Sequence, residues 1–176
     1  MTPPALETER LILRGLTAAD YPGYRAYYTG PRTTGVGGPK PEHIVYERFC
    51  AMVGQWALAG FGRFAITDRA QPEAPAFGHV GPLKTGSEGP TEMTWTLWDE
   101  TRTGQGYATE AARAAADWYF AQGHGPLLVI IDPDNAASIG VAERLHAVED
   151  TTAAPPAHFP NGRIYWLHAD ALQAAS

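Results

Sequence analysis

Between Thr101 and Asp132 the chain reads TRTGQGYATEAARAAADWYFAQGHGPLLVIID, and this stretch leaves few folds open. Two glycines one residue apart, Gly104 and Gly106, precede an alanine-rich helical segment that ends at Gly123. The LLVIID that follows (127–132) is apolar up to its last residue, as expected of a strand covered on both faces. Strands joined through a helix normally run parallel. TEMTWTLW (91–98), the strand before the glycines, is therefore predicted to lie parallel to LLVIID. A helix opening behind glycine turns also presents backbone N–H groups without acceptors, a geometry suited to phosphate.

The remaining pattern supplies a mostly antiparallel frame. RLILR (10–14) alternates charged and apolar residues like a first strand. Thr17 and Asp20 make a capping box that opens a short helix through Tyr28. Residues 29–41, dense in Gly and Pro, read as a loop. A second helix is predicted over about 42–58, with Ile44, Arg48, Met52 and Trp56 on one face and Val45, Phe49 and Val53 beside it. GRFAITD (62–68) and FGHVGPL (77–83) read as two strands joined by a turn. After LLVIID, Asp134 and Asn135 open a helix to about Leu145. Residues 151–162 read as a hairpin connection, and RIYWLH (163–168) as the last strand. With no repeat and no linker, the 176 residues are expected to form one domain of α/β (α+β) class. Its sheet is mixed and mostly antiparallel, with the fourth and fifth strands as the parallel pair.

Charge and composition narrow the partners. At a net charge of −6, with its 13 Lys and Arg scattered, the chain lacks the basic stripe that nucleic acid requires. Cys50 stands alone, which excludes an internal disulfide and fits a reducing compartment. It reads as a small buried hydrophobe rather than a nucleophile. MTPPALETER lacks the basic and apolar regions of a signal peptide, and the longest apolar run, 126–131, is far too short for a bilayer. The expectation is a soluble cytoplasmic protein, monomer or homodimer, with neither nucleic acid nor membrane as partner.

Two phosphate-binding architectures compete for the glycines. A Rossmann unit gains support from Asp132, an acid at the end of the next strand. Against it, Thr109 stands where the third glycine belongs, and residues 99–104 intervene where a tight turn is wanted. The alternative rests on four ordered blocks. GQGYATEA (104–111), with TEMTWTLWD (91–99) before it and IIDPDNAASIGVAERL (130–145) after it, resembles the core of the GNAT N-acetyltransferase superfamily. LETERLILRGLTAAD (6–20) resembles the start of the branch that includes the ribosomal-protein N-terminal acetyltransferases. The resemblance spans nearly the whole chain. It implies the GNAT fold, with a splayed parallel pair and helices on both faces, and acetyl-CoA as cosubstrate.

The family's Gln/Arg-x-x-Gly-x-Gly/Ala pattern, which binds the pyrophosphate of acetyl-CoA, maps onto Thr103, Gly104, Gln105, Gly106, Tyr107 and Ala108. Thr103 departs from the Gln or Arg of the first position. That removes a side-chain contact and leaves the backbone cradle, where glycines permit close approach. The plainer reading is that Gly104 and Gly106 merely turn the chain. Arg102 is either a phosphate contact or a solvated loop arginine, and Glu110 serves the helix dipole. Ala111, Ala112, Ala115 and Ala116 suit close packing of helix on sheet.

Acetyl transfer to an amine needs a neutral amine, a thioester beside it, charge stabilisation at the carbonyl oxygen and a proton for the leaving thiolate. The resemblance places the pantetheine arm between the splayed strands. It also implies a bulge, assigned to Trp95, Thr96, Leu97 and Trp98, that turns an amide toward the thioester; core packing is the alternative for at least one tryptophan. Glu92 matches a position where many members carry a glutamate base, and a solvated strand-end glutamate is the alternative. His79 is a weaker candidate, otherwise a surface histidine. Asn135 and Ser138 match an Asn-x-x-Ser in which Asn binds CoA and Ser lies near its sulfur. The tyrosine that many members use as thiolate acid falls at Ala142 and is absent, which leaves Ser138 or water. His124, His146, His158 and His168 lack metal-ligand spacing, so no metal is implied. The expected acceptor is a primary amine, on a protein N-terminus or a small molecule, acetylated directly in a ternary complex between residues 29–41 and 157–166. A noncatalytic acyl-CoA-binding or sensing module on the same fold is the rival.

Overall fold

Eight strands of the computed structural model form a single sheet; residues 2–157 and 159–173 are described, and His158 lies outside them. The strands are β1 (Leu6–Glu7), β2 (Leu11–Arg14), β3 (Phe64–Asp68), β4 (Gly78–Leu83), β5 (Thr91–Leu97), β6 (Leu127–Ile131), β7 (Val148–Glu149) and β8 (Arg163–Leu167). Their order is β1-β2-β3-β4-β5-β6-β8-β7. Every neighbouring pair is antiparallel except β5 and β6. These two are the predicted parallel pair, shifted in number because β1 precedes the first strand read from sequence. β1 and β7 have two residues each, too few for alternation to register.

The parallel pair touches only at its start. Thr91 pairs with Leu127 and Glu92 with Leu128, and no ladder continues beyond them. From Met93 and Val129 onward the strands diverge and leave a wedge between them. β5 meanwhile stays in unbroken register with β4 from Glu92 to Leu97. The bulge expected within 95–98 therefore falls at its far edge. The N–H groups of Trp98 and Asp99 both donate to the Phe77 carbonyl, two residues opposing one.

Helix α3 (Tyr107–Ala121) covers one face of the sheet. Ala111, Ala112, Ala115 and Ala116 are fully buried there against Leu13, Phe64, Val80 and Met93, as their small size allows. Helices α1 (Tyr21–Tyr28) and α2 (Glu42–Ala59) cover the other face around Tyr24, Phe49, Met52 and Trp98. The buried stripe of α2 is Val45, Phe49, Met52 and Trp56, rotated from the predicted one. Val53 is exposed, and so is Cys50, which overturns its reading as a buried hydrophobe. Within the presumed loop 29–41 the structure has a 3-10 helix, Pro31–Val36, started by Pro31 and closed by Gly37 in the left-handed region. Proline preset for the first turn explains it. Helix α4 (Ala136–Arg144) follows β6, and α5 (Ala169–Gln173) closes the described chain.

The turn into α1 is fixed by Asp20, which is fully buried. Its carboxylate accepts two hydrogen bonds from the Arg14 guanidinium at 2.8 and 2.9 Å, one from the Thr17 N–H and one from the Ala76 N–H. The capping box read from sequence is thus present, and it also ties α1 to β2 and to the turn before β4.

Candidate active site

Six consecutive backbone N–H groups, those of residues 104–109, donate to no protein acceptor among the described residues. Tyr107, Ala108 and Thr109 form the first turn of α3, where helical geometry supplies no partner. Gly104 and Gly106 have φ of +77° and +82°, left-handed values that let the chain double back just before the helix. A side chain on Gly104 would meet open space. The glycine there serves the backbone's course and leaves that surface clear.

The loop is held from behind by residues distant in sequence. Arg10 Nη1 donates to the Gln105 carbonyl, 95 residues away. Its guanidinium also lies over the Tyr107 ring at 4.3 Å. Glu110 accepts hydrogen bonds from the Thr8 hydroxyl, the Arg10 N–H and Arg10 Nε, so it staples β1 and β2 to α3 rather than merely serving the helix dipole. Nothing in the spacing of LETER marks Arg10 for this role.

A cavity of about 750 Å³ opens in front of the N–H row, within the usual range for ligand sites. Thr103, Gly104, Gly106, Tyr107 and Ala108 line one side, and Asn135 and Ser138 the other, with Trp95, Thr96 and Leu97 between them. Of the expected site residues, the structure brings these ten together with Arg102. Gln105, Trp98 and Glu92 lie outside the wall. The Gln105 side chain turns back to the Thr101 carbonyl. Trp98 is buried edge-on to Tyr24, and its Nε1 donates to His79 Nδ1 at 3.2 Å. Glu92 sits at the closed end of the wedge, on the strand face opposite Met93. Arg102 is no solvated loop arginine: it pairs with Asp68 at 2.9 Å and stacks on Phe77. Arg32 and Arg144 also line the cavity, as do Asp132 and Asp134, so its mouth carries charges of both signs.

A second cavity of about 180 Å³ continues into the wedge and shares Trp95, Thr96, Asn135 and Ser138 with the first. Asn135 caps α4, its Oδ1 accepting from the Ser138 N–H. Across the wedge, Trp95 Nε1 donates to Ser138 Oγ at 3.3 Å. Ser138 thus spends an acceptor site on the protein and keeps its own hydroxyl proton to donate. The cavity floor holds Tyr28, Arg63 and His79. His79 is buried, not a surface residue. Burial, and then the Arg63 charge, hold its imidazole well below the ordinary pKa and therefore neutral. Arg32, Gly35 and Val36 bring the 29–41 segment to the wall. No described residue of 157–166 lines either cavity, and Arg163–Leu167 pairs with β6.

Among the described residues no group of His, Cys, Asp and Glu could hold a metal ion, and no helix is long and apolar enough to cross a membrane. Comparison with known proteins places this architecture. A family model described as acetyltransferase (GNAT) domain matches residues 10–148. The structure of an acetyltransferase from Agrobacterium tumefaciens is 35% identical with a TM-score of 0.86, covering 96% of each chain. At 18% identity, the ribosomal-protein-S5-alanine acetyltransferase of Vibrio fischeri has a TM-score of 0.71, covering 95% of this chain and 97% of its own. Mycobacterium smegmatis RimJ in complex with CoA-disulfide is 14% identical with a TM-score of 0.70, covering 98% and 95%. The latter two share the fold. No curated protein matches significantly. On the family match and the 35% identical relative, the chain belongs to the GNAT acetyltransferase family.

Proposed function

We propose that the protein is an acetyl-CoA-dependent N-acetyltransferase that acts on a primary amine by direct transfer in a ternary complex. The observation that carries this reading is the row of unpartnered N–H groups at 104–109, facing a cavity that runs on into the wedge. The residues fit the cosubstrate: the N–H row and the helix dipole suit a pyrophosphate, and Arg32, Arg102 and Arg144 stand at the mouth beside Asp132 and Asp134. When bound, acetyl-CoA supplies an activated acetyl thioester. The chain's own residues do the rest. Asn135 lines the passage from mouth to wedge, and Ser138 holds a proton at Oγ for the leaving sulfur. Glu92, outside the wall, takes the ammonium proton through water. His79 serves poorly as a base, because its charged form is disfavoured and Nδ1 is already engaged.

Release of free thiol from acetyl-CoA over a panel of primary amines, with the acetylated product identified by mass spectrometry, tests the reading. Amine-dependent thiol release is expected. Tight CoA binding without turnover would instead make the chain a sensor, a reading favoured by Ala142, which is buried where a thiolate-acid tyrosine would fall. For the base, Glu92→Gln is expected to lower the maximum of kcat/KM about 10²-fold. A pH profile indistinguishable from wild type would remove Glu92 from the mechanism.

Asn135 and Ser138 separate by kinetics. Asn135→Ala is expected to lose a cap worth about 1 kcal/mol and to raise KM for acetyl-CoA. Ser138→Ala leaves the cap's acceptor in place and slows kcat, because a single transition-state donor contributes about 2.7–4 kcal/mol at most. Lowered melting temperatures with unchanged kinetics in both variants would assign them to structure alone.

A further inference from the structure

Arg63 stands apart from the other cations of the site. Phe64, its neighbour in sequence, packs into the core beneath α3, so Arg63 lies on the opposite strand face, where α1 and α2 pack. There it lines the cavity of the wedge with Tyr28, His79, Thr96 and Ser138. Its Nε has no exposed surface and no hydrogen-bond partner. Arg32 and Arg102 each stand beside a carboxylate, and Arg144 donates to the Gly140 carbonyl. Arg63 forms no ion pair among the described residues, although Glu92 attracts it at longer range and Arg48 repels it. Burial pushes its guanidinium below the ordinary pKa, although the residue as a whole is only half-buried. A guanidinium presents planar, forked donors that match a carboxylate.

We propose that the acceptor is a small aminocarboxylate whose carboxylate pairs with Arg63 while its amine faces Ser138. The inference rests on the acetyltransferase reading and names its substrate class. Ser138 lines both cavities, so the reacting amine and the anion-binding cation share one compartment. At about 180 Å³ that compartment suits a small molecule. A peptide N-terminus carries an amide where the carboxylate would be and must thread its chain out past Tyr28 and Val36. Carboxylate binding also neutralises Arg63, which the protein itself leaves unpaired.

The test compares glycine, β-alanine and γ-aminobutyrate with their own primary amides, and with alanyl and seryl peptide amides. kcat/KM is measured with acetyl-CoA, and calorimetry measures binding of the N-acetyl derivatives to the CoA-saturated protein and to the protein alone. At least one acid is expected to be preferred over its amide by about 10–100-fold in both readouts, the usual strength of a charged hydrogen-bonded pair. Arg63→Met should compress that preference to within about threefold, and Arg63→Lys should restore part of it. Should Arg63→Met fail to fold, the acid-versus-amide comparison in wild type and Arg63→Lys still decides. Equal handling of every acid and its amide, a preference that survives Arg63→Met, or faster acetylation of the peptide amides would each overturn the proposal. Failure of the acetyltransferase reading looks different: no amine, acidic or neutral, releases thiol, while the binding arm still reports on Arg63.

Discussion

Gly106→Asp is expected to abolish measurable acetyl-CoA binding while the protein remains folded. The residue sits at the N-terminus of α3 with φ of +82°, its N–H in the unpartnered row. An added side chain meets only Arg10 Nη2, at 3.4 Å, the flexible end of a long residue. The left-handed conformation costs a non-glycine residue about 1–2 kcal/mol, which a folded domain survives. The carboxylate, however, sets a negative charge beside the N–H row and opposes the pyrophosphate, even where Arg10 pairs with it. Gly106→Ala separates the two effects: it carries the backbone cost without the charge and should weaken binding far less. Calorimetry of both variants beside their melting curves checks this. Undiminished CoA affinity in Gly106→Asp would mean that the row is not the phosphate site.

Asp20→Ala is expected to be the most destabilising substitution in the molecule's polar framework, by about 3 kcal/mol. Removing a buried carboxylate strands the Arg14 guanidinium and two backbone N–H groups. The low end of the range applies because the Arg14 side chain, 23% exposed, can partly rehydrate. Burial alone would raise the Asp20 pKa, but hydrogen bonds from Arg14, Ala76 and Thr17, with the Arg14 charge, hold it below the usual carboxylate value. A depressed pKa contributes stability above the unfolded value of about 3.9 and loses it as pH falls through the lower folded value. Wild type should therefore shed stability below about pH 4, and Asp20→Asn should flatten that acid limb from a lower plateau. Urea denaturation across pH gives both numbers, and an unchanged acid limb in Asp20→Asn would refute the linkage.

The sequence was most legible where periodicity and turn chemistry coincide. The run 101–132 announces β6, α3 and the parallel crossover because an apolar strand follows an alanine-rich helix that paired glycines open. The alanines are buried as read. Legibility failed where contacts reach across the chain. Arg10 and Glu110 meet 100 residues apart, and no local pattern marks that pairing. Arg63 reads in sequence as an ordinary charged residue within the strand 62–68; only the packing of Phe64 into the core turns it into the wedge. The bulge slipped to Trp98 and Asp99 because register depends on where Phe77 ends its own ladder, which belongs to another strand. Cys50 and Val53 came out exposed because α2 packs only one narrow stripe on the sheet.

A titration of the protein with acetyl-CoA, followed by backbone amide NMR, decides whether the glycine turn before α3 holds the pyrophosphate. Saturable shifts are expected, concentrated at the amides of residues 104–109, with smaller ones at Asn135 and Ser138 across the wedge. Saturable binding that leaves the 104–109 amides unmoved, or no binding at all, would overturn that assignment.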